Sequence, residues 1–216
     1  MIHLPAPDVL IPALRDRLSQ PLPGWAAQEA MTPAIRLQIT TIPADAKRSA
    51  VMLLLYLRGA HWYFALMRRP ANGRVHGGQL SLPGGRHEPS DPDFTWTALR
   101  ETHEEFGLDP AGVEVLGALT EVYIPPSNFM VYPRIGYLPA APVFTPDPNE
   151  VAEIIEIELA HLLEDNLAGT HLVEMLPGRM IEAPGYLLKG QHLIWGGTAI
   201  MLAEFRALLR EVVFAD

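Results

Sequence analysis

Between Gly84 and Gly107 the chain reads GGRHEPSDPDFTWTALRETHEEFG, and its last third crowds Glu101, Glu104 and Glu105 into five residues with little positive charge around them. Asp91 followed by Pro92 reads as a helix start, an acidic N-cap with proline at the first helical position, and Gly107 as the stop. A helix over 92–106 turns about 100° per residue, so the glutamates fall inside an arc of roughly 100° with Leu99 and Phe106 opposite and Trp96 and His103 beside those two. Like charges at i,i+3 and i,i+4 each cost an isolated helix a few tenths of a kcal/mol, so helix stability does not explain the cluster. A divalent cation would relieve the repulsion. Ligands that are all oxygen suit hard ions, Mg2+ or Mn2+, which keep part of their water and also bind substrate phosphates. On composition alone a solvated acidic face carries the same residues, and that alternative stays open here.

The elements that must hold this segment form a mixed pattern. AVMLLLYL, from Ala50 to Leu57, is far shorter than the roughly 20 residues of a membrane helix and reads as a buried strand. AVMLLLYLRGAHWYFALMRR suggests two strands around an Arg-Gly-Ala-His turn, and VEVLGALTEVYI, VYPRIGYLP and VAEIIEIEL add strand candidates. DVLIPALRDRLSQ has helical spacing, and the proline-bearing stretch after it reads as a surface connection. In GGTAIMLAEFRALLREVV, Ile200, Leu202, Phe205, Leu208 and Leu209 suit the packing face of a second helix. This predicts an α/β protein, with residues 1–35 as a helical extension and 36–216 as the main domain.

Composition removes several function classes. The formal net charge is -9 with no run of Lys or Arg, which argues against nucleic acid as a partner. There is no cysteine, so disulfides, thiolate catalysis and cysteine zinc sites are excluded. The opening MIHLPAPDVLIPALRD lacks a basic start, a sustained apolar stretch and a small-residue cleavage site, which points to the cytoplasm, with no membrane partner. A homodimer stays open. His103 has no second histidine at helical spacing for a zinc motif, and Ser81 and Ser127 lack the Gly-x-Ser-x-Gly context of a serine hydrolase.

RETHEEFGL, Arg100 to Leu108, resembles the second half of the Nudix box, the signature of Nudix hydrolases, with Thr102 standing where an aliphatic residue is usual. The strict box spacing would put Gly at position 86 and Glu at position 92, whereas this chain has Gly85 and, six residues later, Asp91. That expanded spacing, with Asp in place, is similar to the coenzyme A pyrophosphatases of the family. RRPANGRVHGGQLSLPGG supports the same subgroup: after an opening arginine, Arg69, come His76, Gly78, Gln79, Ser81, Leu82 and Pro83 of the segment such enzymes carry before the box. LIWGGTAIML resembles a later segment of theirs, and helix packing explains it equally well.

The resemblance implies a Nudix α/β/α sandwich with a mixed central sheet, and an Mg2+ or Mn2+ site made by Glu101, Glu104, Glu105 and the Gly85 carbonyl. It implies that Arg100 orients the glutamates. It also implies a catalytic set of Arg100, Glu101, Glu105 and an acid from outside the box such as Glu153, Glu101 or Glu153 acting as general base. Arg69, His76, Gly78, Gln79 and Ser81 are the substrate-binding candidates, with Arg69 the expected partner of the 3′-phosphate and Arg68 and Arg74 beside it. The implied substrate is coenzyme A or an acyl derivative. Other nucleoside diphosphate derivatives such as ADP-ribose or NADH, and a non-catalytic binding module, are the alternatives. Asp91 is expected to cap the helix.

Overall fold

The computed structural model describes residues 2–38, 41–71, 77–176, 178–189 and 191–214. Its helices are α1 (Pro7–Ser19), the short α2 (Trp25–Gln28) and α3 (Ala34–Leu37), α4 (Phe94–Phe106) and α5 (Gly196–Val213). The strands are β1 (Lys47–Arg58), β2 (His61–Arg68), β3 (Leu80–Ser81), β4 (Gly84–Arg86), β5 (Glu114–Ala118), β6 (Val122–Ile124), β7 (Phe129–Leu138), β8 (Glu153–Glu158), β9 (Ala168–Leu176), β10 (Arg179–Leu188) and β11 (His192–Trp195).

β1 organises the main sheet because it is buried on both faces. Its period-2 side chains divide between two cores. Leu53 and Leu55 join Leu10, Ile11, Leu14 and Leu18 of α1 and the inner face of α5, while Ala50, Met52, Leu54 and Tyr56 pack with Ala98 and Phe106 of α4. Helices therefore cover both faces, as an α/β/α sandwich requires. The order is β3-β2-β1-β7-β5, with β4 also on β1, β6 on β7 and β8 on β2. β1 and β7 are parallel and the other pairs antiparallel, so the sheet is mixed. The Arg58–His61 register pair closes the expected turn. A second, three-stranded sheet, β11-β10-β9, lies on the α5 side, where Tyr186, Leu188 and Ile194 enter the core.

A buried carboxylate ties the N-terminal segment to α5. Glu204 is wholly excluded from solvent, and its oxygens accept from Gly24 N (3.0 Å), Gln28 Nε2 (2.9 Å), Thr120 N (3.1 Å) and Thr120 Oγ1 (2.7 Å).

Candidate active site

The edge of β1 is divided between two neighbours. β2 pairs with Leu55–Arg58, and β4 with Ser49–Val51. The PGGR stretch thus contributes a short strand, β4, to the edge of β1. Gly84 has φ +154°, and a Cβ there would stand 2.4 Å from the Ala50 carbonyl oxygen and 2.6 Å from Val51 Cα, so only glycine fits against β1. Its N–H donates to Glu105 Oε2 at 2.7 Å. A Cβ on Gly85 would stand 2.4 Å from Glu101 Oε2. Bare backbone at Gly84 and Gly85 is what lets β4 lie against the carboxylates of α4.

The helix start differs from the sequence expectation. α4 begins at Phe94, and Asp93 is the N-cap, accepting from Trp96 N at 2.7 Å. Asp91 is buried and accepts from Arg100 Nε and Nη2, each at 3.0 Å, from Thr97 Oγ1 at 2.9 Å and from Glu88 N at 3.0 Å. The Arg100 hydrogen bonds hold its carboxyl far below the usual carboxylate range, against the opposing effect of burial. Arg100 Nη1 then donates to Glu101 Oε1 and Glu104 Oε2, each at 2.9 Å. Arg100 therefore holds two of the three box glutamates, and Asp91 holds Arg100. Trp96 and His103, expected on the packing side, are exposed, because the buried face runs through Thr97, Ala98, Thr102, Glu105 and Phe106. Thr102 takes its aliphatic position without an unpaired hydroxyl, since Oγ1 donates to Ala98 O at 2.7 Å.

The glutamates differ in environment. Glu104 is exposed, Glu101 partly covered and Glu105 buried. Burial pushes the Glu105 carboxyl up to about 8, opposed by Arg69, whose Nη2 stands 3.8 Å from Oε1, and by the Gly84 N–H, and reinforced by the charges of Glu101 and Glu150. Burial also raises Glu101, with Arg100 opposing and Glu104 and Glu150 adding to the rise.

Among the described residues no three acidic or imidazole side chains converge around one point. The reason is visible in the hydrogen bonds: Glu101 and Glu104 are turned to Arg100 and Glu105 to Gly84. The donor set still fits a hard divalent ion. Its side-chain donors are carboxylates, two of them raised in pKa chiefly by burial, the bare Gly85 leaves the room a Cβ would fill beside Glu101, and Glu104 faces solvent.

The other sequence candidates fall in several places. On the α5 side of the sheet a cleft of about 740 Å3 is lined by Arg69, Gln79, Ser81, Gly84, Gly85 and Thr198 among others. The box glutamates do not line it; they meet it across the rim of Gly84 and Gly85. Ser81 Oγ is buried without a hydrogen-bond partner among the described residues, and Gln79 lines the same wall. Arg69 turns its Nη2 to the Gly84 carbonyl at 3.1 Å. Gly78 closes the hairpin, its N–H donating to Arg69 O at 3.0 Å. Glu153 opens β8 and is ion-paired with Arg68 at 3.0 Å, while it is Glu150 whose charge reaches Glu101 and Glu105. His76 and Arg74 lie outside the described residues. Trp195, Gly197 and Thr198 of the LIWGGTAIML stretch stand on the cleft wall, with Thr198 Oγ1 donating to Leu80 O at 3.1 Å.

A family model of the NUDIX domain matches residues 46–174. The chain is a Nudix hydrolase. It is 34% identical to the mitochondrial coenzyme A diphosphatase NUDT8 of Homo sapiens, over 92% of this chain and 79% of that one. It is 37% identical to a Nudix hydrolase named NudL from Pectobacterium atrosepticum, over 75% of this chain and 83% of that one. The fold superposes on a MutT/nudix family protein from Enterococcus faecalis with a TM-score of 0.52 at 16% identity, covering 83% of this chain and 71% of that one. These relatives support the coenzyme A pyrophosphatase-like subgroup of the Nudix hydrolases. Nudix hydrolases generally need divalent metal ions. No helix among the described residues is long and apolar enough to cross a membrane.

Proposed function

We propose that this Nudix hydrolase adds water across the diphosphate of coenzyme A or an acyl-coenzyme A, in a reaction that depends on Mg2+ or Mn2+. The products are adenosine 3′,5′-bisphosphate and 4′-phosphopantetheine or its acylated form. The observation that carries this reading is the box carboxylates set against the bare Gly84–Gly85 edge, with a large cleft across that edge. Likeness to relatives named coenzyme A diphosphatases supports the substrate.

Glu101, Glu104 and Glu105 with the Gly85 carbonyl would hold the ion, which when bound neutralises phosphoryl charge and makes water a better nucleophile. The chain's own groups do the rest. Asp91 fixes Arg100, and Arg100 fixes Glu101 at the site where a proton leaves the attacking water. Glu101 suits the general base because it stands against the bare Gly85 at the rim of the cleft and partial burial raises its proton affinity. Arg69 offsets the charge of Glu105 and steadies the Gly84 carbonyl, a positioning role on the wall of the cleft. Ser81 Oγ and Gln79 offer hydrogen bonds to substrate in the cleft.

A substrate panel with Mg2+ or Mn2+, comparing coenzyme A, acetyl-coenzyme A, ADP-ribose and NADH, tests the reading. Coenzyme A or its thioester should show the highest kcat/KM. Faster turnover of ADP-ribose or NADH would overturn the substrate assignment.

A further inference from the structure

Beyond the cleft, and sharing Gln79, Ile124, Trp195 and Gly197 with it, lies a second cavity of about 330 Å3. Its walls are mostly apolar, and its only charged lining residues among those described are Arg36 and Arg179. Arg36 Nη1 is shielded from solvent and has no hydrogen-bond partner among the described residues. Burial lowers the Arg36 pKa to about 10, with no carboxylate among the described residues acting against it. A half-buried guanidinium with one nitrogen shielded and unpartnered disfavours folding, and a Leu or Met would fill the same apolar space without that cost. A guanidinium kept there calls for an anion that arrives from outside. The second feature is the start of α5. Gly196 and Gly197 line the cavity, and this 18-residue helix has no side-chain cap, so its positive end faces the same space.

We propose that this second cavity receives the far end of the substrate, an anionic group carried on an apolar stem, and that Arg36 is the residue that selects for it. The inference rests on the coenzyme A reading and adds a specificity determinant remote from the diphosphate. A coenzyme A thioester can present such a group in two places, the 3′-phosphate on its adenosine and a carboxylate at the end of its acyl chain. Arg69 directs its Nη2 to the Gly84 carbonyl and lines the first cleft, whereas Arg36 lines the second cavity. The planar guanidinium can donate two parallel hydrogen bonds to either group.

Steady-state kinetics on wild type, Arg36→Met and Arg36→Lys test the proposal with two substrate pairs. One pair is coenzyme A and 3′-dephospho-coenzyme A. The other is an acyl-coenzyme A ending in a carboxylate and the methyl-ended thioester of equal length. Wild type should prefer the anion-bearing member of one pair by about tenfold or more in kcat/KM, expressed in KM, as loss of a charged hydrogen-bond partner implies. Arg36→Met should erase that preference and Arg36→Lys restore part of it. A preference in the first pair assigns the cavity to the phosphate, and one in the second to the carboxylate. Melting curves guard against misfolding, since Arg36→Met removes an unpaired charge and should melt no lower than wild type. If wild type hydrolyses none of the four, the coenzyme A reading has failed separately, and calorimetry with adenosine 3′,5′-bisphosphate and adenosine 5′-phosphate decides: tighter binding of the bisphosphate that Arg36→Met abolishes supports the cavity. No preference in wild type, or one that Arg36→Met leaves intact, overturns the proposal.

Discussion

Arg100 grips Asp91 with Nε and Nη2, each 3.0 Å from a carboxylate oxygen, and reaches Glu101 and Glu104 with the remaining Nη1. The acid of the box's expanded first half is therefore part of the scaffold that aims its glutamates. Asp91→Asn keeps the shape and removes the charge. It should cost about 2–3 kcal/mol of stability and at least tenfold in kcat, because Arg100 loses the partner that fixes it. Asp93→Ala, at the true N-cap, should cost about 1 kcal/mol with kcat unchanged. Urea denaturation and kinetics on both variants check the contrast; an unaltered kcat in Asp91→Asn would return that residue to a purely structural role.

The two glycines of β4 should respond differently to alanine. At Gly85 the new methyl meets the carboxyl end of the Glu101 side chain and not backbone, so Gly85→Ala should fold, bind Mg2+ more weakly and lose on the order of a hundredfold in turnover. At Gly84 it meets the backbone of Ala50 and Val51, and the positive φ adds strain, so Gly84→Ala should destabilise the whole sheet edge. Circular dichroism melts with metal titrations separate the outcomes, and a fully active Gly85→Ala would remove Glu101 from the metal site.

Glu105 and Asp91 give pH dependences of opposite sign. Glu105 rises from 4.5 to about 8 on folding, so in metal-free protein its stabilising contribution is full below pH 4.5 and is lost as the pH climbs through about 8. The slope in that window should reach at most about 1.4 kcal/mol per pH unit and flatten in Glu105→Gln. Asp91 is lowered from 3.8, so its contribution is present above that pH and disappears as the solution is acidified below it. Chemical denaturation with chelator across pH 3–9 reads both; a slope unaffected by Glu105→Gln would contradict the burial of that carboxyl.

Glu204 accepts four hydrogen bonds that join the N-terminal segment and Thr120 to α5. Glu204→Ala should cost about 3 kcal/mol, since it strands two partly buried backbone N–H groups and the buried Gln28 amide, and Glu204→Gln should cost less because one acceptor oxygen remains. Equal stability of all three proteins would show that the junction contributes little.

Much of this was legible in the chain. β1 and β2, the strands around VYPRIGYLP and IIEIEL, and the three long helices follow from hydrophobic period and turn chemistry. The box pattern located Arg100, Glu101, Glu104 and Glu105. The Asp91 assignment failed because Asp-Pro is a strong helix-start signal, while Asp93, two residues on, satisfies the same rule and only tertiary packing decides between them. β9 to β11 went unread because their alternation is broken by Gly169, Pro184 and Gly185. Arg36 left no local mark at all: an arginine beside a proline-bearing connection reads as surface, and the cavity it lines is completed by Ile124, Ile181 and Trp195, distant in sequence.

Product analysis by liquid chromatography and mass spectrometry, on coenzyme A incubated with Mg2+ and with either wild type or Glu105→Gln, tests the central assignment most directly. Wild type should release adenosine 3′,5′-bisphosphate and 4′-phosphopantetheine in equal amounts, chelator should abolish both, and Glu105→Gln should form them at least about a hundredfold more slowly while remaining folded. Intact coenzyme A with wild type, or products formed as fast by Glu105→Gln or in the presence of chelator, would contradict it.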